Sequence, residues 1–430
     1  MFNKKSLALV LILTFVLSLS LSVAVMAQDD EVTLRFAWWG SQSRHERTLR
    51  VIEMFEEEHP NIKIQPEYTG WGGYWDKMNA QAAGDNLPDI IQHVRKMMAS
   101  YVENEQLLAL DPYIEDGTLD VSKIGESYLE MGRAYGKQMG LATGVNAPAG
   151  YYDKELFDAA GVDYPSPEDT WKDRAEMFKK LHEELGILGA ATPASQEEGN
   201  GFVVWLRQHG QSFFSEDGKS LGYDDDQLFV DYMNYDLELI DSGAVQDAMQ
   251  RQESPDAIEQ DPVTQGEAAT ATNYWSNQLP AISNGAGKLL HPFLYPKAED
   301  QVQEGRFMKP AMVMTVAKST EHPEEVMTFL NFWFNNIEAG KVIGTDRGVP
   351  TNSEVRKALK ADADKYDQAV FDFIEVAAEN AGPVLPLQPP AFSEVTTAFA
   401  DQYWEVIYGM KTPAEAAADF REEATKLLSR

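Results

Sequence analysis

Apolar and polar residues alternate from Val32 to Ala37, which predicts a first strand. The stretch from Leu34 to Gln42, LRFAWWGSQ, runs that strand into two tryptophans, then into Gly40 and polar residues that open a helix. From Ser43 to Glu58 the period changes: Leu49, Ile52 and Phe55 recur on one helical face, and His59-Pro60-Asn61 ends the run. Ile62 and Ile64 then alternate with Lys63 and Gln65 in a second strand reaching Tyr68. Strand, helix and strand of these lengths predict a right-handed parallel β-α-β unit.

Three aromatics among three glycines follow, Gly70-Trp71-Gly72-Gly73-Tyr74-Trp75. A helix is expected from about Trp75 to Ala83, a turn over Gly84 to Pro88, and a third strand over Asp89 to Val94. Leu107 to Asp111 should pack back onto this unit. Lys137 to Thr143 and Ala149 to Tyr152 read as strands crossing between two lobes, with Gly144 to Pro148 as a loop between them.

Asp169 or Thr170 can cap a helix carrying Trp171, Ala175, Phe178, Leu181 and Leu185 inward. Glu216 to Lys219 has hairpin-turn composition, and Leu228 to Ser242 is amphipathic. A small-residue strand, Gly266 to Trp275, ends in aromatics, and Met312 to Ala317 is strand-like. His322 to Glu325 starts a helix burying Val326, Phe329, Leu330, Trp333 and Phe334, and Thr345 to Thr351 is a turn-rich loop. Thr412-Pro413-Ala414-Glu415 is a capping box with proline at the first helical position.

The 430 residues are 43% hydrophobic, enough for about two domains with their own cores. Lys4 and Lys5 precede an apolar run, Leu7 to Leu19, and Val25-Met26-Ala27 follows as a small-residue site. Residues 1–27 therefore read as a cleaved secretory signal, against the alternative of an uncleaved anchor. There is no cysteine, so neither a disulfide framework nor a lipid-anchor cysteine is available, and a periplasmic chain held by its cores is expected. The formal charge of −33 becomes −35 without Lys4 and Lys5; such a chain repels nucleic acid and anionic lipid.

No phosphate-binding loop, dinucleotide fingerprint or zinc-protease motif occurs, so no cofactor is expected. The seven histidines show no metal spacing, and Asp224-Asp225-Asp226 lacks the pattern of a calcium loop. A glycosidase needs two facing carboxylates, but among 69 acids some pair always looks plausible, so that signal carries no weight. The nine tryptophans are more informative. Sugar rings stack their C–H faces on aromatic planes and hydrogen-bond through their hydroxyls. Trp171 and Trp333, at helical spacing, read as core, whereas Trp39, Trp71 and Trp275 at strand ends read as binding groups. Trp38 can be either, because adjacent strand residues face opposite ways.

Together VTLRFAWWG, FEEEHPNIKI, AAGDNLPDII, YYDKELFDAAGVDYPSPEDTW, GEAAT, GVPT and TPAEAAADF, in this order and spacing, resemble the extracellular solute-binding proteins of sugar ABC transporters, the maltose-binding type. Asp153 and Thr270 stand where the family often has asparagine and methionine. The resemblance implies an α/β, two-lobed periplasmic binding protein fold (type II-like) with a hinge between the lobes. The implied division is residues 28–145 in the N-terminal lobe, 146–310 mainly in the C-terminal lobe, 311–345 returning to the first, and 346–430 forming C-terminal-lobe helices and hinge. It further implies a monomer that is not an enzyme, binding a sugar or oligosaccharide and docking on a permease.

Carried over by position, the implied ligand-binding residues are Trp38, Trp39, Gln42, Trp71, Gln92, His93, Arg95, Asn146, Asn273, Trp275 and Arg347. The basic run His93-Val94-Arg95-Lys96, with Arg44, His45 and Arg47, raises an anionic sugar such as a uronate; solvated surface charges are the alternative reading. Rival functions are a secreted polysaccharide-degrading enzyme and a binder of a non-sugar solute.

Overall fold

The computed structural model describes residues 31–192, 200–254 and 258–429; the expected signal segment lies outside them. In chain order the elements that build the two lobes are β1 (Val32–Trp39), α1 (Gln42–Glu58), β2 (Ile62–Thr69), α2 (Tyr74–Ala83), β3 (Ile90–His93) and α3 (Arg95–Glu103). There follow β4 (Gly140–Asn146), β5 (Pro148–Tyr152), α4 (Trp171–Leu185), α5 (Asn200–Gln208), α6 (Gln227–Asp241), β6 (Thr270–Trp275), β7 (His291–Phe293) and β8 (Lys309–Val316). The chain ends with α7 (Pro323–Asn335), α8 (Ile337–Ile343), β9 (Val349–Pro350), α9 (Ser353–Asp362), α10 (Lys365–Glu379), α11 (Phe392–Ile407) and α12 (Pro413–Leu428).

The first lobe is a six-stranded sheet in the order β9-β4-β8-β3-β1-β2. β1 and β2 pair in parallel from Val32 opposite Ile62 to Trp39 opposite Thr69, as the β-α-β pattern predicts. Pro66, which cannot donate to a ladder, sits in the edge strand β2. β1 is buried on both faces, because helices cover both sides of the sheet. Leu34, Phe36 and Trp38 pack with α1 and α7, while Ala37 and Trp39 pack with α2 and α3.

The second lobe holds a three-stranded antiparallel sheet, β6-β5-β7. Beside it α5, α6, α11 and α12 enclose an aromatic core of Phe202, Phe213, Phe229, Phe399 and Phe420. The expected caps are present: Thr170 and Asp173 box the start of α4, and Thr412 and Glu415 that of α12. In the acidic turn, Asp226 is held by Arg421 at 2.6 Å.

Two expectations change. The loop expected over Gly144 to Pro148 is instead strand: β4 continues to Asn146 and only Ala147 separates it from β5. Gly144 is there for close packing, since a Cβ on it would lie 2.2 Å from the Arg347 carbonyl of the chain leading into β9. The return to the first lobe is also longer than 311–345. It starts at Lys309, and β9 adds Val349 and Pro350 to the first sheet beside β4. α9 then packs on α8 and β9. Among the described residues no helix is long and apolar enough to cross a membrane.

Candidate functional site

At the mouth of β1 the strand period separates the two tryptophans. Trp38 is fully buried, donates Nε1–H to His45 Nδ1 at 3.1 Å and stacks on Tyr68. It is therefore a core residue, which corrects its place among the expected binding groups. Burial, then repulsion from Arg347, lowers the pKa of His45. Trp39 faces the other way into a cluster with Trp71, Tyr74 and Trp75, at centroid distances of 5.2, 5.1 and 5.8 Å. It is 7% exposed, whereas Trp71 is 48% exposed. Trp39 is the plate behind, and Trp71 is the indole that reaches open space. Gln42 is exposed in the first turn of α1, where it donates to Glu46 Oε1, and it does not line the cavity between the lobes.

Gln92 and Arg347 belong to an interior network. Gln92 donates to the Trp39 carbonyl at 3.2 Å and accepts from Arg347 Nε at 2.8 Å. Arg347 Nη2 donates to Thr48 Oγ1 at 2.9 Å, and Asp346 lies against both Arg347 and Arg44. Burial and the neighbouring Arg44 push the Arg347 pKa down to about 9. Arg47 donates to the carbonyls of Val342 and Ile343 at the end of α8, where the helix dipole favours a cation. These groups fasten α1 to the 345–351 loop and offer nothing to a ligand.

His93 is also interior. It packs against the rings of Trp75 and Tyr101, neither ring nitrogen has a described partner, and burial pushes its pKa down to about 3. Asn146 stands at the lobe crossing opposite Lys309, only 8% exposed. Asn273 adopts a left-handed φ of 63° and accepts from the Tyr295 hydroxyl. It lines a separate cavity of about 90 Å³ within the second lobe, beside Trp171, Arg174 and Tyr232.

Between the lobes lies a cavity of about 300 Å³. Trp71, Arg95 and Lys96 come to it from the first lobe. Asn200, Arg207, Ser212, Phe213 and Trp275 come from the second. Of the eleven expected residues, Trp71, Arg95 and Trp275 meet here.

The wall contributed by Lys309 carries its ammonium 3.3 Å from the centre of the Trp275 ring. A further wall is the extended segment Val384 to Gln388, part of a strap running from Gly382 to Pro390. The strap is gripped from both sides. Arg95 donates to the carbonyls of Leu385 (3.2 Å) and Met131, and Arg207 donates to those of Gly305 (3.0 Å) and Pro383. Burial lowers the Arg95 pKa to about 10.

Sequence reasoning missed Arg207, Lys309 and the strap. Four prolines within residues 383–390 signal an extended polyproline-like segment. Asn200, Val203 and Arg207 at spacings of three and four signal one helix face turned to the cavity.

The sequence matches the family described as bacterial extracellular solute-binding protein over residues 43–339, more than half of the chain. The structure is similar to an extracellular solute-binding protein family 1 member from Alicyclobacillus acidocaldarius, at 31% identity. Its TM-score is 0.82, and the match covers 93% of this chain and 99% of that one. It is also similar to a periplasmic oligogalacturonide binding protein from Yersinia enterocolitica, with 25% identity, TM-score 0.80 and coverage of 93% and 99%. Among curated sequences, an arabinooligosaccharide-binding protein of Halalkalibacterium halodurans is 26% identical over 219 residues, 50% of this chain and 48% of the relative. The chain thus spans about half the length of that relative.

Proposed function

This chain belongs to the bacterial extracellular solute-binding protein family, and from that premise we propose that it captures a sugar or oligosaccharide between its lobes and delivers it to an ABC transporter permease. The observation that carries this reading is the pair Trp71 and Trp275, one from each lobe, lining a single cavity. Indole planes stack on the apolar faces of pyranose or furanose rings. Asn200, Ser212 and Gln388 on the same walls supply hydroxyl partners. The volume of about 300 Å³ falls at the lower end of the roughly 300–1,000 Å³ of small-molecule sites. Relatives whose names specify arabinooligosaccharide and oligogalacturonide support the saccharide class.

A ligand touching both walls binds the closed arrangement better than the open one, so it shifts the lobes toward closure. The closed surface is what a permease would read. Export through residues 1–27, residence outside the cytoplasm and action as a monomer complete the proposal. N-terminal sequencing of the exported protein and its sedimentation behaviour test them.

The central test is intrinsic tryptophan fluorescence titrated with neutral and acidic mono- and oligosaccharides. A saturable response to at least one sugar is expected. Trp71→Ala should weaken it tenfold or more, about 1.4 kcal/mol, without unfolding the protein. A folded protein that answers no sugar in the panel would sink the reading.

A further inference from the structure

The loop that carries Trp71 is fastened at both ends and loose between them. On one side Thr69 closes β2, paired opposite Trp39, and its carbonyl accepts from Gly40 N–H at 3.1 Å. On the other, Tyr74 opens α2 with its ring buried and its hydroxyl donating to the Gln92 carbonyl at 2.9 Å. Four residues span the gap, Gly70-Trp71-Gly72-Gly73, and all four are exposed. Gly73 has a reason in the fold: it caps α2 at a left-handed φ of 82°, which side chains rarely adopt. Gly70 and Gly72 have none. Neither lies in the left-handed region, and a Cβ on either would meet no atom within 4 Å. Alanine at such a position normally stabilises a protein, because it restricts the unfolded chain. Nor does either glycine make a hydrogen bond with a described residue; the Trp71 carbonyl accepts from Tyr74 N–H at 3.3 Å. The indole meets Trp39 and Trp75 in edge-to-face contacts, at interplanar angles of 74° and 79°. A segment with few packed atoms and free backbone groups is one that moves locally.

We propose that residues 70–73 are a glycine-jointed arm: turning at Gly70 and Gly72, it carries Trp71 away from Trp39 and Trp75 and lays an indole face on a sugar ring in the cavity. The inference rests on the sugar-binding reading above and deepens it, naming Gly70 and Gly72 as positioning residues that act through Trp71. Stacking needs the indole face against the sugar, whereas Trp71 stands edge-to-face among its own neighbours. Backbone rotation re-aims that face without disturbing Thr69 or Tyr74. Glycine reaches the left-handed half of backbone space as readily as the right-handed half, while for alanine the left-handed conformation is disfavoured about tenfold. Trp275 is the fixed counterpart. Its N–H donates to Gln278 Oε1 at 2.8 Å and its carbonyl accepts from the Tyr151 hydroxyl. The cavity thus pairs one plate set by the second lobe with one that adjusts from the first.

The test compares Gly70→Ala, Gly72→Ala and, as a control outside the cavity lining, Gly125→Ala, whose extended backbone also accommodates a Cβ. Urea unfolding gives stability. Calorimetric titration with the sugar panel above, arabinotriose and digalacturonate among its members, gives affinity. Amide hydrogen exchange reads residues 70–73. All three variants should raise the urea midpoint. Gly70→Ala and Gly72→Ala should weaken sugar binding about tenfold, while Gly125→Ala leaves it unchanged. In the wild-type protein the amides of residues 70–73 should exchange freely and slow when a sugar binds. Arm variants that bind as tightly as the wild type, or more tightly, overturn the arm. So does a lowered urea midpoint, which would mean that the fold itself needs these glycines. If the folded protein answers no sugar, the sugar-binding reading fails, and exchange measured without sugar still decides the arm: protection equal to that of β2 overturns it, and free exchange sustains it.

Discussion

Two groups of cations lie near the mouth of the first sheet and are built on opposite terms. Arg44, Arg47 and Arg347 spend their N–H groups on the chain itself: Asp346, Gln92, Thr48 and the carbonyls closing α8. At the cavity between the lobes, Arg95 and Arg207 hold carbonyls of the strap, while Lys96 is exposed and makes no hydrogen bond or ion pair with a described residue. Sequence position does not separate the groups, since Arg44 and Arg95 both follow a strand of the same sheet. Partners separate them: a cation whose donors are used internally holds the chain together, and Lys96, exposed at the cavity, is the one open to a solute.

The sharpest way to break this contrast is Arg347→Met. It leaves Gln92 Oε1 and Thr48 Oγ1 without their donor in a buried site, at a cost of about 1–3 kcal/mol. Urea unfolding followed by circular dichroism measures it, and a loss below about 1 kcal/mol would remove Arg347 from the structural group.

Next comes pH. His93 lies in β3 just before the cavity cations, and its pKa is held near 3 by burial, against 6.5 unfolded. The folded chain keeps it neutral while the unfolded chain takes up a proton. Its stability contribution is therefore complete above about pH 6.5 and declines as pH falls toward 3, by up to about 1.4 kcal/mol per pH unit. Subtracting the same unfolding series for His93→Phe isolates this slope from the carboxylates; identical slopes would show that His93 is protonated in the fold.

The smallest effects sharpen the contrast. Arg44→Gln, which loses a half-buried pair with Asp346, should cost roughly 1 kcal/mol. Lys96→Gln should change ligand-free stability by no more than about 0.5 kcal/mol. Equal losses in the two variants would erase the distinction between the groups.

What the sequence made legible was local. The β1-α1-β2 unit, the caps at Thr170 and Thr412 and the inward face of α7 rest on spacing within one element, and the structure repeats them. The errors are relations between distant segments. Gln92 resembles a ligand group until Arg347, 255 residues later, is placed beside it. Gly144 resembles a loop until β9 lies across it. Trp38 and Trp39 are alike in type, and only the layers on either side of β1 decide which is core and which backs the cavity. The recurring motifs pointed to Trp71, Arg95 and Trp275. Arg207 and Lys309 lie in segments without a motif, and folding alone brings them to the same space.

The strap also links the lobes. Arg207 of the second lobe and Arg95 of the first hold carbonyls only two residues apart on it, at Pro383 and Leu385. Once the lobes separate, so short a piece of proline-stiffened backbone cannot travel with both. One charge-assisted hydrogen bond has to break before the mouth can widen. The two lobes are thus tied through backbone carbonyls on the cavity wall itself.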